Sequence, residues 1–166
     1  KATGNILGEQ TSATVRNGSW YGNDTIWRTI LDLNRILFYA DKQGTMKNTP
    51  QRKYYAIVDG VVAGEGDGPM DVDAKEAGIL IAGSDPVAID AVASTLIGFD
   101  YRKIPTVIQS FAMMRWPLTR DTPDDIRIKS NKANWNGALG NIALDSTLSF
   151  KPHFGWLGHI EMENRE

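Results

Sequence analysis

Residues 54–90 of this 166-residue chain read YYAIVDGVVAGEGDGPMDVDAKEAGILIAGSDPVAID, and this stretch decides the fold class. Its two apolar runs, Tyr54–Asp59 and Ala77–Ala82, each suit a buried β-strand. Asp85 followed by Pro86 is typical of a helix N-cap and first helical residue, and Gly98 lies where that helix is expected to end. Strands alternating with helices predict an α/β fold, in which helices flank a mixed or mostly parallel sheet in a single layer-packed domain.

Other elements are predicted on both sides of this stretch. Apolar residues at helical spacing predict a helix over 24–40, before which Asn23 and Asp24 lie either as caps or in a substrate loop. The sequence also predicts a helix over 104–116, short strands over 126–129 and 142–148, and an irregular tail over 150–166. These elements fit one domain spanning residues 1–166, since domains commonly contain about 100–150 residues.

The composition excludes several classes of protein. A net charge of −2 argues against a nucleic-acid-binding protein, which needs a surplus of basic residues to neutralise phosphates. The absence of cysteine excludes an iron–sulfur cluster with cysteine ligands within this chain. No apolar run approaches the ~20 residues of a membrane span. The compartment stays unknown, with a soluble, cytoplasmic location favoured, and the initial Lys1 indicates a piece of a longer protein.

An acidic stretch between residues 59 and 85 contains seven carboxylates and a single basic residue, Lys75. The candidate site lies at the end of the first predicted strand and in a glycine-rich loop after it: Asp59, Glu65 and Asp67, with Gly66 and Gly68 beside them. Carboxylates without a nearby basic partner suit a hard cation such as Mg²⁺ or Ca²⁺. A solvated turn and general acid–base catalysis are the alternative interpretations.

Asp85 and Asp90 form a second pair of candidates. Asp85 is explained by its role as N-cap. Asp90 lies on a small and mostly apolar helix surface, where burying an unpaired carboxylate is costly. We therefore expect Asp90 to be half exposed or to have a partner, for which a metal ion, Arg28 and Arg35 are the candidates.

Strand direction decides whether these acids form one site. If the two predicted strands run parallel, Asp59 and Asp85 lie at the same sheet edge, and the loop acids join them. If the strands run antiparallel, the two residues lie about 17 Å apart, because a strand rises ~3.3 Å per residue. The connection of 17 residues permits either arrangement.

The segment from Tyr55 to Lys103 resembles the domain of unknown function 362 family. The resemblance is carried by Ile57-Val-Asp-Gly60, Gly64-Glu-Gly-Asp-Gly-Pro69, Gly78-Ile-Leu-Ile-Ala82, Asp85-Pro-Val-Ala-Ile-Asp90 and Ile97-Gly-Phe-Asp100. It implies a shared α/β domain, a shared acidic loop and a position in the C-terminal portion of a longer protein. Many members carry cysteine-rich, ferredoxin-like segments, and their absence here argues against a direct redox role.

Two functional hypotheses follow. In the first, the chain is an enzyme domain that binds a divalent cation through Asp59, Glu65 and Asp67, with Asp85 or Asp90 as a candidate further ligand. The cation then holds a small anionic or sugar-like substrate. In the second, it is a non-catalytic accessory domain that binds a protein partner or the rest of its parent chain. In that case the acidic loop contacts a basic partner, and the aromatic tail Phe150–Trp156 docks elsewhere.

Overall fold

The structure is a computed structural model that describes residues 20–68 and 71–163. Its helices and strands, in chain order, are α1 (Ile26–Tyr39), β1 (Ala56–Asp67), β2 (Asp71–Gly83), α2 (Pro86–Leu96), α3 (Pro105–Phe111), β3 (Arg127–Ile128) and β4 (Gly137–Ala138). Short 3-10 turns connect the elements that follow α2. Helices and strands are thus mixed along the chain, as the α/β prediction requires.

The strands β1 and β2 form a long antiparallel hairpin, in which Ile57 is opposite Ala82 and Asp67 is opposite Asp71. The described residues contain two sheets, each an antiparallel pair of strands, so the predicted mixed or mostly parallel sheet is not found. The reason lies in the connection. Three residues separate β1 from β2, whereas a parallel crossover needs a dozen or more.

Most of the glycine-rich segment predicted as a loop belongs to the hairpin, since residues 60–67 lie in β1 and residues 71–74 in β2. One face of the hairpin is open to solvent, so glycine interrupts no packed layer there. Gly60 marks the irregular point, because the register shifts between Gly60 and Val62. A Cβ atom at Gly60 would lie 2.8 Å from Cγ1 of Ile79, so only glycine fits against this buried side chain.

The inner face of the hairpin packs against α2. Ala77 and Ile79 of β2 are buried together with Ala91, Val92 and Leu96 of α2. Residues from the later part of the chain complete this core: Val107, Ile126, Trp135, Leu139 and Ile142. The hairpin and α2 therefore share one hydrophobic core, whereas α1 packs in a second cluster. The predicted packing of all elements in a single layered domain is not supported.

The predicted limits of α2 are confirmed. The Asp85 carboxylate accepts a hydrogen bond of 2.9 Å from the backbone N–H of Ala88, and Pro86 is the first helical residue. Gly98 follows the helix with a φ of 93°, a conformation that glycine adopts without strain.

Helix α1 packs against a second cluster, in which Leu31, Phe38, Val87 and Leu118 are buried. The N-cap residue is Thr25, whose side chain makes no capping hydrogen bond. Asn23 precedes it, and its Oδ1 accepts hydrogen bonds from the backbone N–H groups of residues 25 and 26. The helix is apolar on two sides, and only one of them is covered by the described residues.

The later part of the chain departs from two predictions. Helix α3 ends at Phe111 rather than at residue 116, where Trp116 instead adopts a φ of 52° that an α-helix does not allow. Residues 142–148 form no strand, because Leu148 donates its N–H to the carbonyl of Leu96 at the end of α2. Residues 150–163 contain no helix or extended strand. The last three residues of the predicted tail lie outside the described part of the chain.

Candidate functional site

The predicted acidic residues lie at separate levels of the hairpin. Asp59 is in the middle of β1 opposite Leu80, and its Oδ1 accepts a hydrogen bond of 3.1 Å from the N–H of Val61. Asp85 lies five residues beyond Leu80, which is roughly 17 Å of extended chain at ~3.3 Å per residue. Asp59 and Asp85 therefore do not share a sheet edge.

At the tip of the hairpin, acids face acids. Glu65 is opposite Asp73, and Asp67 is opposite Asp71. Directly opposed like charges destabilise a strand pair. The tip therefore depends on basic groups that come from elsewhere in the chain.

Lys75 and Lys151 supply this basic charge. The Nζ of Lys75 donates a hydrogen bond of 2.8 Å to Oε2 of Glu65, and the backbone N–H of Lys151 donates one of 3.0 Å to the same oxygen. The Nζ of Lys151 lies 3.8 Å from Glu65 and 3.6 Å from Asp73. Chiefly because of the Lys75 hydrogen bond, and further because of Lys151, the pKa of Glu65 lies below its usual value.

The C-terminal tail fastens the same tip through its backbone. Gly66 donates its N–H to the carbonyl of Lys151 at 3.0 Å, and Phe154 donates its N–H to Oδ1 of Asp67 at 3.1 Å. Lys75 also donates to the carbonyl of Ser149, and its ammonium lies over the ring of Phe150. Gly66 and Gly68 are the two glycines predicted beside the acids. Gly66 has a φ of 80°, and Gly68 donates its N–H to the carbonyl of Gly66 at 2.9 Å.

The expectation that these acids lack a nearby basic partner is wrong for Glu65. Lys75 is two residues from Asp73, the residue opposite Glu65, and such diagonal neighbours on one face of a hairpin are within reach of long side chains. The sequence contained this signal, but it becomes visible only once the segment is read as a hairpin. The contacts made by Lys151 and Phe154 had no sequence signal.

The carboxylates proposed to bind Mg²⁺ or Ca²⁺ do not converge. Within residues 20–68 and 71–163, no group of three or more histidine or acidic side chains is arranged to hold a metal ion. Glu65 is 10% exposed and is already paired with lysine, and Asp59 lies farther along β1 toward the open end. Metal binding by Asp59, Glu65 and Asp67 stays a prediction, and it would require Glu65 to exchange lysine for the ion.

Asp90 has no hydrogen bond or ion pair from its carboxylate to another described residue. Its surface is exposed, yet neighbouring protein removes enough water from the carboxylate that this desolvation raises its pKa. The proposed arginine partners are engaged elsewhere: Arg28 pairs with Asp24 at 2.9 Å, and Arg35 pairs with Asp32 at 2.8 Å. These two arginines line a groove of about 350 Å³ between α1 and α3, where Nε of Arg35 is buried without a hydrogen-bond partner in the described residues.

A larger groove of about 500 Å³ lies beside β2. One wall is the strand itself from Gly78 to Gly83, the floor is formed by Ala88, Ile89 and Val92 of α2, and the far wall is the segment Ile126–Lys132. Sequence reasoning missed this groove. The signal available was the basic run Ile126-Arg-Ile-Lys-Ser-Asn-Lys132, read only as a short strand.

Part of the chain is similar to a protein of Synechocystis sp.. A thylakoid-associated protein of Synechocystis sp. is 42% identical over 52 residues, which are 31% of this chain and 16% of that relative. The matched part is thus a small fraction of the relative's length. No solved structure matches the chain significantly. No described helix is long and apolar enough to cross a membrane. The family described as "Domain of unknown function (DUF362)" matches residues 5–95, more than half of the chain, and the chain belongs to this family.

Proposed function

We propose that this chain is a partner-binding domain, and that α1 presents its main protein-binding surface. The observation that carries this proposal is an apolar seam on the outer side of α1. The seam consists of Ile26, Ile30, Leu33, Ile36 and Leu37. Leu33, the most exposed of them, has 61% of its surface open to solvent.

The spacing of the seam suits a helical partner. Ile26, Ile30, Leu33 and Leu37 follow each other at intervals of four, three and four residues, which is the spacing of a coiled-coil seam. A helix that is apolar on two sides is normally buried on both of them. We therefore infer that a helix of another polypeptide packs on this seam.

The outer face of the hairpin supports the same function. Ile57 and Leu80 are each 68% exposed, and Tyr55 extends this face. Contiguous apolar surface on a protein commonly marks an interaction site. By contrast, the acidic tip is engaged by lysines of the same chain, which leaves it a poorer surface for a basic partner than the sequence predicted.

A photo-reactive amino acid placed at residue 33 of the seam tests the proposal in cells. We expect this variant to cross-link to a defined protein, which mass spectrometry identifies and which binds the purified chain. The binding is expected to fall at least tenfold in Leu33→Glu. Gln43→Glu is the matched control, because it adds the same charge at an exposed position outside α1.

Two outcomes would contradict this proposal. One is cross-linking from position 33 that does not exceed cross-linking from position 43. The other is binding of the purified chain to vesicles of thylakoid lipids, lost in Leu33→Glu, with no protein partner. The second outcome would assign the seam to a lipid surface, an association suggested by the name of the Synechocystis relative.

The metal-dependent enzyme of the alternative hypothesis has its own test. A cation that binds only the folded chain must raise the midpoint of thermal unfolding by mass action. The hypothesis expects a rise with millimolar Mg²⁺ or Ca²⁺ that disappears in a variant carrying Asp59→Asn, Glu65→Gln and Asp67→Asn. If neither cation changes the midpoint relative to a chelator control, the metal-dependent enzyme hypothesis is contradicted.

A further inference from the structure

The groove beside β2 has a strand edge as one of its walls. All six consecutive residues Gly78–Gly83 border it. Side chains of a strand alternate between its two faces, so a cavity against one face would contact every second residue. Contact with every residue therefore means that the groove runs along the backbone edge of β2.

This edge is unpaired among the described residues. On its other side β2 is bonded to β1, and no hydrogen bond joins Ala77–Gly83 to a described residue outside β1. An open row of backbone N–H and C=O groups is a template for pairing with another strand. Gly78 has a φ of 64° and lies at the irregular point of the register. The extended part of the edge, Ile79–Gly83, spans roughly 13 Å at ~3.3 Å per residue, which is enough for one short strand.

The floor and the far wall of the groove define the character of a matching strand. The floor is apolar, because Ile89 and Val92 of α2 lie there next to Ile79. The far wall carries three basic residues, Arg127, Lys129 and Lys132. Lys129 has no hydrogen bond or ion pair to another described residue, and Lys132 lies over the ring of Trp135.

Among the described residues that line the groove, Asp85 is the single acidic one, and its carboxylate is already hydrogen-bonded. Asp85 accepts hydrogen bonds from the N–H of Ala88 at 2.9 Å and from the hydroxyl of Thr119 at 2.6 Å. It is therefore not positioned to neutralise the basic wall. The formal charge of the lining is three positive and one negative.

We propose that this groove binds an extended acidic peptide strand, which adds to the free edge of β2. Its backbone pairs with Ile79–Gly83, its apolar side chains cover the floor on α2, and its carboxylates face Arg127, Lys129 and Lys132. Strand addition of this kind takes affinity from main-chain hydrogen bonds and specificity from alternate side chains. The groove is a different surface from the α1 seam, so the two sites succeed or fail independently.

The test uses the whole chain and a fluorescent eight-residue peptide of alternating Val and Glu. We expect saturable binding by anisotropy, with amide exchange slowed in Ile79–Gly83. Lys129→Glu is expected to weaken binding at least tenfold, because it reverses a charge on the basic wall. Lys42→Glu, an exposed substitution remote from the groove, provides the matched control.

Two further peptides separate strand addition from simple charge attraction. A peptide of alternating Val and Lys is expected not to bind. A Val–Glu peptide methylated on every backbone nitrogen keeps its charge but cannot donate hydrogen bonds along either edge, and it is also expected not to bind. Equal binding of the methylated peptide, displacement of the Val–Glu peptide by millimolar inorganic phosphate, or absence of binding would each overturn the proposal.

Discussion

The two ends of the β1–β2 hairpin differ in how their exposed groups are satisfied. At the tip, Glu65 and Asp67 are held by Lys75, Lys151 and the backbone of the tail. At the open end, Ile57 and Leu80 face solvent, and the edge of β2 carries no partner from the described residues. Other described residues of the chain thus complete the charged end, whereas none of them covers the apolar end.

This difference contradicts the interpretation that composition suggests, in which the acidic cluster is the binding site and the apolar strands are core. A cluster of carboxylates attracts attention as a binding site, yet these carboxylates oppose each other in pairs and need internal lysines. The apolar strand runs look like core, yet one of their faces is exposed in the part of the chain that the structure describes. Unsatisfied surface, rather than charge density, is what indicates where this domain meets another molecule.

The largest effect is expected from Lys75→Met at the tip. The substitution leaves Glu65, 10% exposed, without its 2.8 Å hydrogen bond from an ammonium group and next to the opposed Asp73. Losing a charged partner of a largely buried group costs about 2 kcal/mol of the free energy of unfolding, which urea denaturation measures. Lys42→Met is the matched control, and an equal small loss in both variants would show that the tip is not held by this lysine.

A smaller effect, dependent on pH, is expected from Glu65→Gln. Because the folded state lowers the pKa of Glu65, its ionised form stabilises the fold above the pKa of the unfolded chain. That contribution disappears as the pH falls through the lowered pKa. Glu65→Gln should therefore cost about 1 kcal/mol at pH 7 and progressively less in acid. A cost that is the same at pH 7 and pH 3 would contradict the ionic origin.

Asp90→Asn is expected to increase the free energy of unfolding, whereas Glu65→Gln lowers it. Desolvation raises the pKa of Asp90 in the folded state, so this residue lowers stability as the pH rises from the unfolded pKa through the folded pKa. Removing the charge should increase the free energy of unfolding at pH 7 by about 0.5 kcal/mol, a size usual for exposed positions. A loss of stability would instead reveal a partner for the carboxylate.

The smallest effect is expected from Ile57→Thr at the open end. Ile57 is 68% exposed, and threonine also suits a strand, so the free energy of unfolding should change by no more than about 0.5 kcal/mol. Urea denaturation checks this value beside that of Lys75→Met. A loss comparable to that of Lys75→Met would show that the outer face is packed within the domain, and the contrast between the two ends would fail.

Local signals in the sequence identified part of this fold. Asp85, Pro86 and Gly98 define α2 because capping and helix termination depend on single residues. The strand runs 54–59 and 77–82 were located by their apolar character. Their relative direction was not determined, because glycines within β1 looked like breaks and concealed a continuous hairpin.

The candidate sites were harder to predict, since they join distant parts of the chain. Lys151 reaches Glu65 across 86 residues of sequence, and no periodicity announces such a contact. The groove likewise unites β2 with the segment Ile126–Lys132. The α1 seam was visible as apolar spacing, but its exposure was not, because sequence alone does not say which apolar face the core covers.

The attachment of the hairpin tip to the tail has a consequence for the order of folding. The hairpin itself needs only local pairing, but its tip is closed by Lys151 and Phe154, which lie 86 and 87 residues beyond their partners. Bringing such distant segments together is slow, because loop-closure entropy is lost before the contact forms. On a ribosome, the opposed acids at the tip would emerge long before the tail that relieves their repulsion. The segment that contains Lys151 is made 86 residues after Glu65, and it is therefore this later segment that completes the hairpin.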